Sequence, residues 1–353
     1  MNAHIMALQT GVPERCFTQD EITEFYVGLL TQAGSRRQRA IRAAMPLAGV
    51  GSRYSAVAPD FFEGNKTTQE RNDRYMLEAM PLGERVIRAG LEQADVSADS
   101  IDHFVVVSCT GFNVPGLDLL LAQRLGMSSR LNRTQVFGMG CYGAFPGIKR
   151  AIDSVRGRPG QTALVLTLEL CTLHLQFDDS VESVVSTSLF ADGAGMMLIG
   201  ADDAAGAAVS PTLLDSETYC DFHTLDHMTF NVTDHGFRMY LSSYVPDVLA
   251  ANVGAFIGRL LERHELTRDA VAFWAIHPGS KRIVEHIQKQ LALSDEQVRP
   301  SLETLHEYGN MSSATVLFVL DRIIQSSAPQ PGDYGVMMAF GPGLTMEALL
   351  VRW

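Results

Sequence analysis

The feature that most restricts the fold of this chain is a concealed repeat. Two strand-like segments, "DHFVVVSCTG" (102–111) and "VAFWAIHPGS" (271–280), each run from an apolar stretch into turn-forming residues. Cys141 lies 32 residues beyond Cys109, and Asn310 lies 33 residues beyond His277. Cys141 and Asn310 each follow a glycine and precede a helical pattern, "AFPGIKRAIDSV" and "SSATVLFVLDRII", and a further strand comes next, "TALVLTLEL" and "YGVMMAFG". Strand, helix and strand, repeated in one chain, predict two similar α/β halves. A pseudo-twofold axis between them would gather Cys141, His277 and Asn310 at the centre, with Cys109 and Thr110 beside them. That set holds a thiol nucleophile, a base and an amide donor.

A length of 353 residues exceeds what one core usually serves, which agrees with two halves, divided here at 1–205 and 206–353. The formal charge of −12 speaks against a broad nucleic-acid-binding surface, so an anionic ligand needs a local basic patch. No apolar run approaches the roughly 18–20 residues of a membrane span, and the start, "MNAHIMALQTGVPERC", lacks the pattern of a secretory signal. A cytoplasmic location is the expectation. Five cysteines without C-x-x-C pairing disfavour a disulfide framework or a zinc ribbon. His223, His227 and His235, in "HTLDHMTFNVTDH", have no spacing that suits a compact closed metal site. No metal or redox cofactor is expected.

The stretch "VFGMGCYGAFPGIKRA" (136–151) admits two readings. Gly138, Gly140 and Gly143 spell the dinucleotide fingerprint G-x-G-x-x-G, with Glu169 as a stand-in for the ribose-binding acid. Against this, more than a hundred residues precede the turn, and the second half has "HEYGNMSS" at the equivalent place, without the glycine triplet. In the other reading the glycines permit a tight strand-to-helix turn that presents Cys141. The helix N-terminus and a neighbouring His277 are then expected to lower the thiol pKa.

Taken together and in order, "GCYGAFPG", "LFADGAG", "HPGS", "YGNMSSA" and "FGPG" resemble the type III polyketide synthases, the chalcone synthase-like branch of the thiolase superfamily, and its bacterial members in particular. The resemblance runs from "LQTGVPERCFTQDEI" to "AFGPGLTMEALLVRW". It implies a thiolase-like α/β fold, two pseudo-twofold-related halves in a layered αβαβα arrangement. It further implies Cys141 as acyl-carrying nucleophile, His277 and Asn310 completing the triad, and coenzyme A thioesters as substrates without another cofactor. An acyl-CoA starter would be extended by iterative decarboxylative condensation with malonyl-CoA and cyclised to a pyrone, a resorcinol or a related ring.

The same resemblance places Phe190 at the gatekeeper position and Phe237 at the second aromatic position between tunnel and cavity, although both read as core by pattern alone. His174 falls where plant members carry a small threonine, and with Cys109 and Thr110 it is expected to line the cavity. Arg39, Arg42 and Arg53, in "RRQRAIRAAMPLAGVGSRY", are the candidates for holding coenzyme A phosphates, with an ordinary solvated helix face as the alternative. The loop "GFNVPGLD" (111–118) carries Phe112, Val114, Pro115 and Leu117, apolar residues that would be costly in a solvated loop, and in the family it crosses a twofold interface. A homodimer is therefore expected, with Val114 in the partner's cavity and a cis Val114–Pro115 bond. The sister ketoacyl-carrier-protein synthases share the triad but have a second asparagine soon after the histidine, where this chain reads "HPGSKR". Hydroxymethylglutaryl-coenzyme A synthase needs a glutamate near the nucleophile, and no matching motif supplies one. A thiolase-fold protein that binds acyl-CoA without catalysis is the alternative of a different class.

Overall fold

A computed structural model describes residues 2–30, 34–201, 211–242 and 244–353, so the division expected at 205/206 lies outside the described residues. The first part runs β1 (Ala3–Gly11), β2 (Arg15–Thr18), α1 (Gln19–Leu29), α2 (Ser35–Ala44), β3 (Ser52–Ser55), α3 (Thr68–Ala94), β4 (His103–Val107), α4 (Leu117–Leu125), β5 (Asn132–Val136), α5 (Ala144–Gly157), β6 (Thr162–Leu170), α6 (Val181–Leu189) and β7 (Asp192–Gly200). The second runs β8 (Thr212–Cys220), β9 (Met228–Thr233), β10 (Gly236–Leu241), α7 (Val245–Glu262), β11 (Val271–Ile276), α8 (Lys281–Leu291), α9 (Asp295–Tyr308), α10 (Thr315–Ser326), β12 (Tyr334–Gly341) and β13 (Thr345–Arg352).

Local chemistry sets these boundaries. Helices α1, α3 and α9 begin at capping boxes, Thr18 with Glu21, Thr67 with Glu70 and Ser294 with Gln297, in which each side chain satisfies an N–H the helix leaves unpaired. The run "HFVVV" of β4 is buried at every position, as a parallel strand covered on both faces requires.

The repeat is written into the strand pairing. In the first part β4 runs parallel to β6, β6 antiparallel to β7, and β7 antiparallel to β1. In the second, β11, β12, β13 and β8 pair with the same sequence of senses. The full order is β11-β12-β13-β8-β1-β7-β6-β4-β5. In the sheet the quartets are joined where Ala3 and His4 pair with Leu213 and Thr212, at the centre of the strand order.

Five layers follow from which faces share a core. Helices α5 and α10 lie in the middle, with Ile148, Val155, Val316 and Leu320 in one cluster with Val105 and Val165 from one quartet and Met337 and Leu349 from the other. Helices α3 and α4 cover the outer face of the first quartet, and α7 and α8 that of the second. This is the thiolase-like αβαβα arrangement. At the outer edges of the large sheet the halves differ: β5 pairs beside β4, whereas no strand occupies the matching place beside β11 among the described residues. The corresponding stretch is helix α9, which ends at Gly309 with φ of 72°.

Candidate active site

Cys141 sits in a short 3-10 turn, Gly140–Tyr142, between β5 and α5. Gly138 and Gly140 have φ of 75° and 63°, a left-handed region that disfavours side chains. At Gly140 a Cβ would also come within 2.6 Å of Pro342 Cδ, so the second half's "FGPG" closes over this turn. The glycines thus make a bend and a close approach, as the nucleophile reading requires.

The fold brings the Asn310 and Ser312 side chains to the thiol, where both donors favour its ionised form. Asn310 is buried and its amide has a fixed orientation. Ser312 N–H donates to Oδ1 at 2.8 Å, and Nδ2 donates to Gly279 O at 3.2 Å. The NH₂ edge therefore faces the Cys141 and His277 loops. His277 stands at the end of β11, its N–H donating to Met338 O at 2.8 Å. Its imidazole is 1% exposed, and neither ring nitrogen has a hydrogen-bond partner. Buried polar atoms are rarely left in this state unless a ligand supplies the partner.

The electrostatics correct one expectation. Burial pushes the Cys141 thiol up to about 11, with the Ser312 hydroxyl pulling in the opposite direction, while burial alone takes His277 down to about 3. Both shifts favour the neutral forms. Burial is thus the largest influence on the thiol, and it acts against the thiolate that the helix end and the histidine were expected to favour.

The sequence offers Glu169 only as the stand-in acid of the disfavoured dinucleotide reading and gives it no part in the condensing site; the structure places it beside that site. It is fully buried at the end of β6 and accepts from Thr110 Oγ1 at 2.7 Å, Ser313 Oγ at 2.6 Å, Cys109 N at 3.0 Å and Cys109 Sγ at 3.3 Å. It thereby ties the Cys109–Thr110 turn to the Asn310 loop. Burial raises its pKa against these donors, and its charge adds to burial in holding the Cys109 thiol well above the usual range. The signal was a lone acid in the apolar run "TALVLTLEL".

Two lobes of open space lie next to these groups, lined not by Cys141, His277 or Asn310 but by residues that adjoin them. One, of about 270 Å³, is lined by Cys109, Gly140, Met228, Phe230, Phe237 and Pro342; the other, of about 30 Å³, by Thr110, Cys171, His174, Leu175, Phe190 and Phe237. Phe237 borders both. Phe190 is locked to the Asn310 loop, since Asn310 N–H donates to Leu189 O and Ala191 N–H to Asn310 O. His174 stacks on Phe237 with ring centroids 4.2 Å apart and planes 2° from parallel. Phe237 N–H donates to its Nδ1 at 3.1 Å, so Nε2 carries the proton and donates to Thr110 O at 2.7 Å. Burial lowers its pKa to about 4, and it is a neutral brace as well as a lining residue.

Other candidates lie elsewhere. Val114 is 79% exposed, is joined to Pro115 by a cis bond and lines neither lobe of its own chain's site. Arg39 and Arg42 are on the exposed face of α2, Arg42 paired with Glu24 at 2.7 Å. Arg53 is not available to a phosphate: it is fully buried and donates to the carbonyls of Thr187, Ser188 and Phe190 and to Gln19. His235 meets Asn65 at 3.1 Å, and among the described residues no three acidic, histidine or cysteine side chains cluster as metal ligands.

Residues 1–203 match the N-terminal domain of the chalcone and stilbene synthases, and residues 222–353 match the C-terminal domain of the same family. The chain belongs to that family. It is 31% identical to a 1,3,6,8-tetrahydroxynaphthalene synthase of Streptomyces peucetius subsp. caesius over 99% of this chain and 93% of the relative. It is 30% identical to the α-pyrone synthesis polyketide synthase-like Pks18 of Mycobacterium tuberculosis, over 99% and 90%. The crystal structure of PKS-I from the brown alga Ectocarpus siliculosus superposes with a TM-score of 0.94 at 31% identity, covering 99% of this chain and 98% of that one. This chain is accordingly a type III polyketide synthase, an acyltransferase-type condensing enzyme that works on coenzyme A thioesters. No described helix is long and apolar enough to cross a membrane.

Proposed function

We propose that Cys141, His277 and Asn310 carry out iterative decarboxylative condensation. The observation that carries this reading is the orphaned His277 imidazole beside an Asn310 amide whose donor edge is fixed. Cys141 passes its proton to His277 as the sulfur attacks the starter thioester, and the proton leaves with the coenzyme A thiolate. Malonyl-CoA then loses carbon dioxide, and the electron pair of the broken C–C bond becomes an enolate. Its oxygen receives hydrogen bonds from Asn310 Nδ2–H and His277 Nε2–H, both desolvated and preorganised. The enolate carbon attacks the Cys141 thioester, the sulfur departs as thiolate, and a β-ketoacyl-CoA two carbons longer is free to reload.

Glu169 keeps the Cys109–Thr110 turn and the Ser313 loop in register and orients the growing chain rather than reacting with it. Phe190 and Phe237 separate loading from extension. Cys109, Thr110 and His174 bound the chamber in which the chain folds into a pyrone, a resorcinol or a related ring.

Coenzyme A phosphates are assigned to the exposed arginines of α2, Arg39 and Arg42. The working unit is assigned as a homodimer in the cytoplasm. Exposed Phe112, Val114 and Phe137 lie close to the free edge of β5, a combination that another copy would cover. Val114 of each copy then reaches the other's cavity. Incubation with malonyl-CoA and a series of acyl-CoA starters, read by mass spectrometry, tests the reading. Products heavier than the starter acyl group by successive two-carbon ketide units support it. Tight acyl-CoA binding without any such product would favour a non-catalytic binder.

A further inference from the structure

Helix α6 ends without a cap of its own. No basic residue stands in its last turn, and Phe190, in extended backbone, and Ala191 follow it where a capping glycine is usual. Its last carbonyls have no partner within the helix, yet each is satisfied from elsewhere. Ser186 O accepts from Phe190 N–H at 3.0 Å, and Leu189 O accepts from Asn310 N–H at 2.8 Å. The others converge on one guanidinium. Arg53 Nη1 donates to Thr187 O and, at 3.0 Å, to Phe190 O, while Nη2 donates to Ser188 O at 2.9 Å. Gln19 completes the set: its Oε1 accepts from Arg53 Nη2, and its Nε2 donates to Ser188 O at 3.2 Å and to Met45 O at 2.7 Å. A cation is favourable at this end of a helix. The planar fork adds something an ammonium lacks, since it fixes the spacing of the carbonyls it joins.

The same backbone carries two residues of the site. Phe190 and Asn310 form an isolated parallel bridge, and Ala191 N–H donates to Asn310 O at 2.9 Å. Gly309 has φ of 72°, and a Cβ there would come within 3.0 Å of Leu189 O and 3.5 Å of Arg53 Cβ. The strand that bears Arg53, the end of α6 and the turn before Asn310 are therefore in direct contact. Strand β3 is in turn anchored to the end of α9, where Gly51 N–H donates to His306 O and Ser52 Oγ to Glu307 O, both at 2.8 Å. Arg53 is fully buried, and its charge is met by carbonyl dipoles and the Gln19 amide.

We propose that Arg53 is a positioning residue for condensation: by holding the carbonyl end of α6 it sets where Phe190 and the Asn310 amide stand relative to Cys141. The inference rests on the assignment of Asn310 as enolate donor and adds the residue that aims it. The hydrogen bonds of Arg53 go to α6, Phe190 and Gln19, whereas Cys141 and His277 stand on the turn before α5 and at the end of β11. Loss of the guanidinium should fall on the step that needs the Asn310 donor and spare the step that needs only the thiol and the imidazole.

The test measures carbon dioxide release from malonyl-CoA and the rate of acyl-enzyme formation from acetyl-CoA on the same folded protein. Arg53→Met, which keeps an unbranched apolar side chain and removes every donor, should lower decarboxylation by about 10- to 100-fold, the cost of a group displaced by about 1 Å. Loading should stay within a few-fold of native. Arg53→Lys retains the charge and three donors without the fork, so it should recover part of the loss. Gln19→Met removes a partner of the guanidinium and the second donor to Ser188 O; it should show the same imbalance to a smaller degree, and it decides the matter if neither Arg53 variant folds. Asn310→Ala is the reference. A native ratio of decarboxylation to loading in the Arg53 variants, whatever their melting temperatures, would overturn the positioning role if Asn310→Ala is impaired in decarboxylation, and the reading of Asn310 would stand. Native decarboxylation in Asn310→Ala would instead remove the donor assignment and the role of Arg53 with it.

Discussion

Replacing Asn310 separates the two chemical steps that Cys141 is assigned to serve. In the native protein the amide does two things: Oδ1 accepts from Ser312 N–H at 2.8 Å, and Nδ2 donates to Gly279 O at 3.2 Å while facing Cys141. Asn310→Ala removes the enolate donor, a loss of about 2.7–4 kcal/mol or 10²–10³ in kcat for one oxyanion contact. It also leaves a buried N–H unpaired, which costs about 1–3 kcal/mol of stability. Asn310→Asp, assayed in mildly alkaline buffer, keeps the acceptor for Ser312 N–H but supplies no donor. Both variants should therefore lose malonyl-CoA decarboxylation by about 100-fold or more, and only the alanine should lose that N–H partner and its share of thermal stability. Acyl loading, which needs no enolate, should stay within a few-fold of native. Carbon dioxide release from malonyl-CoA and intact-protein mass spectrometry report the two steps independently. Decarboxylation at a native rate in either variant, or a loading defect as large as the decarboxylation defect, would refute the role of the amide.

His174→Thr removes the bonds to Thr110 O and Phe237 N together with the ring stacked on Phe237. It should cost about 1–3 kcal/mol in thermal unfolding and shift the product pattern seen by liquid chromatography. Because burial holds His174 near 4, below its ordinary value of about 6.5, the unfolded chain binds more protons between these values. Its contribution to stability is full above the upper value and is lost as pH falls through the lower, so melting temperature measured against pH should fall on acidification less steeply in His174→Thr. Gly140→Ala forces a Cβ onto Pro342 in a left-handed backbone and should abolish turnover, as measured with malonyl-CoA. Light scattering at micromolar concentration should return a dimer, and Val114→Asp should weaken it; a fully active native monomer would remove any role for Val114 in a partner's site.

The repeat was legible because equal spacings carry the matching loops to one place, and the two strand quartets keep the same pairing senses. What spacing could not show was the joint, where Ala3 and His4 meet Leu213 and Thr212, since neither segment carries a distinctive pattern. Cys141, His277 and Asn310 were legible as unusual residues at turns. Glu169 was visible but misread, because only the fold reveals that its charge is met by donors from residues 108–110 and Ser313. Arg53 was misread for the opposite reason: in sequence it looks like the exposed arginines before it, yet backbone carbonyls compensate its burial.

The central claim is that Cys141 alone carries the acyl chain, and a second thiol, Cys109, lines the 270 Å³ lobe together with Gly140. The most direct test is trapping with an acyl-CoA starter, followed by digestion and mass spectrometry of both cysteine peptides. The account predicts one acyl group per chain, confined to the peptide containing Cys141 and absent in Cys141→Ala. An acyl group on Cys109, or one that persists in Cys141→Ala, would contradict it.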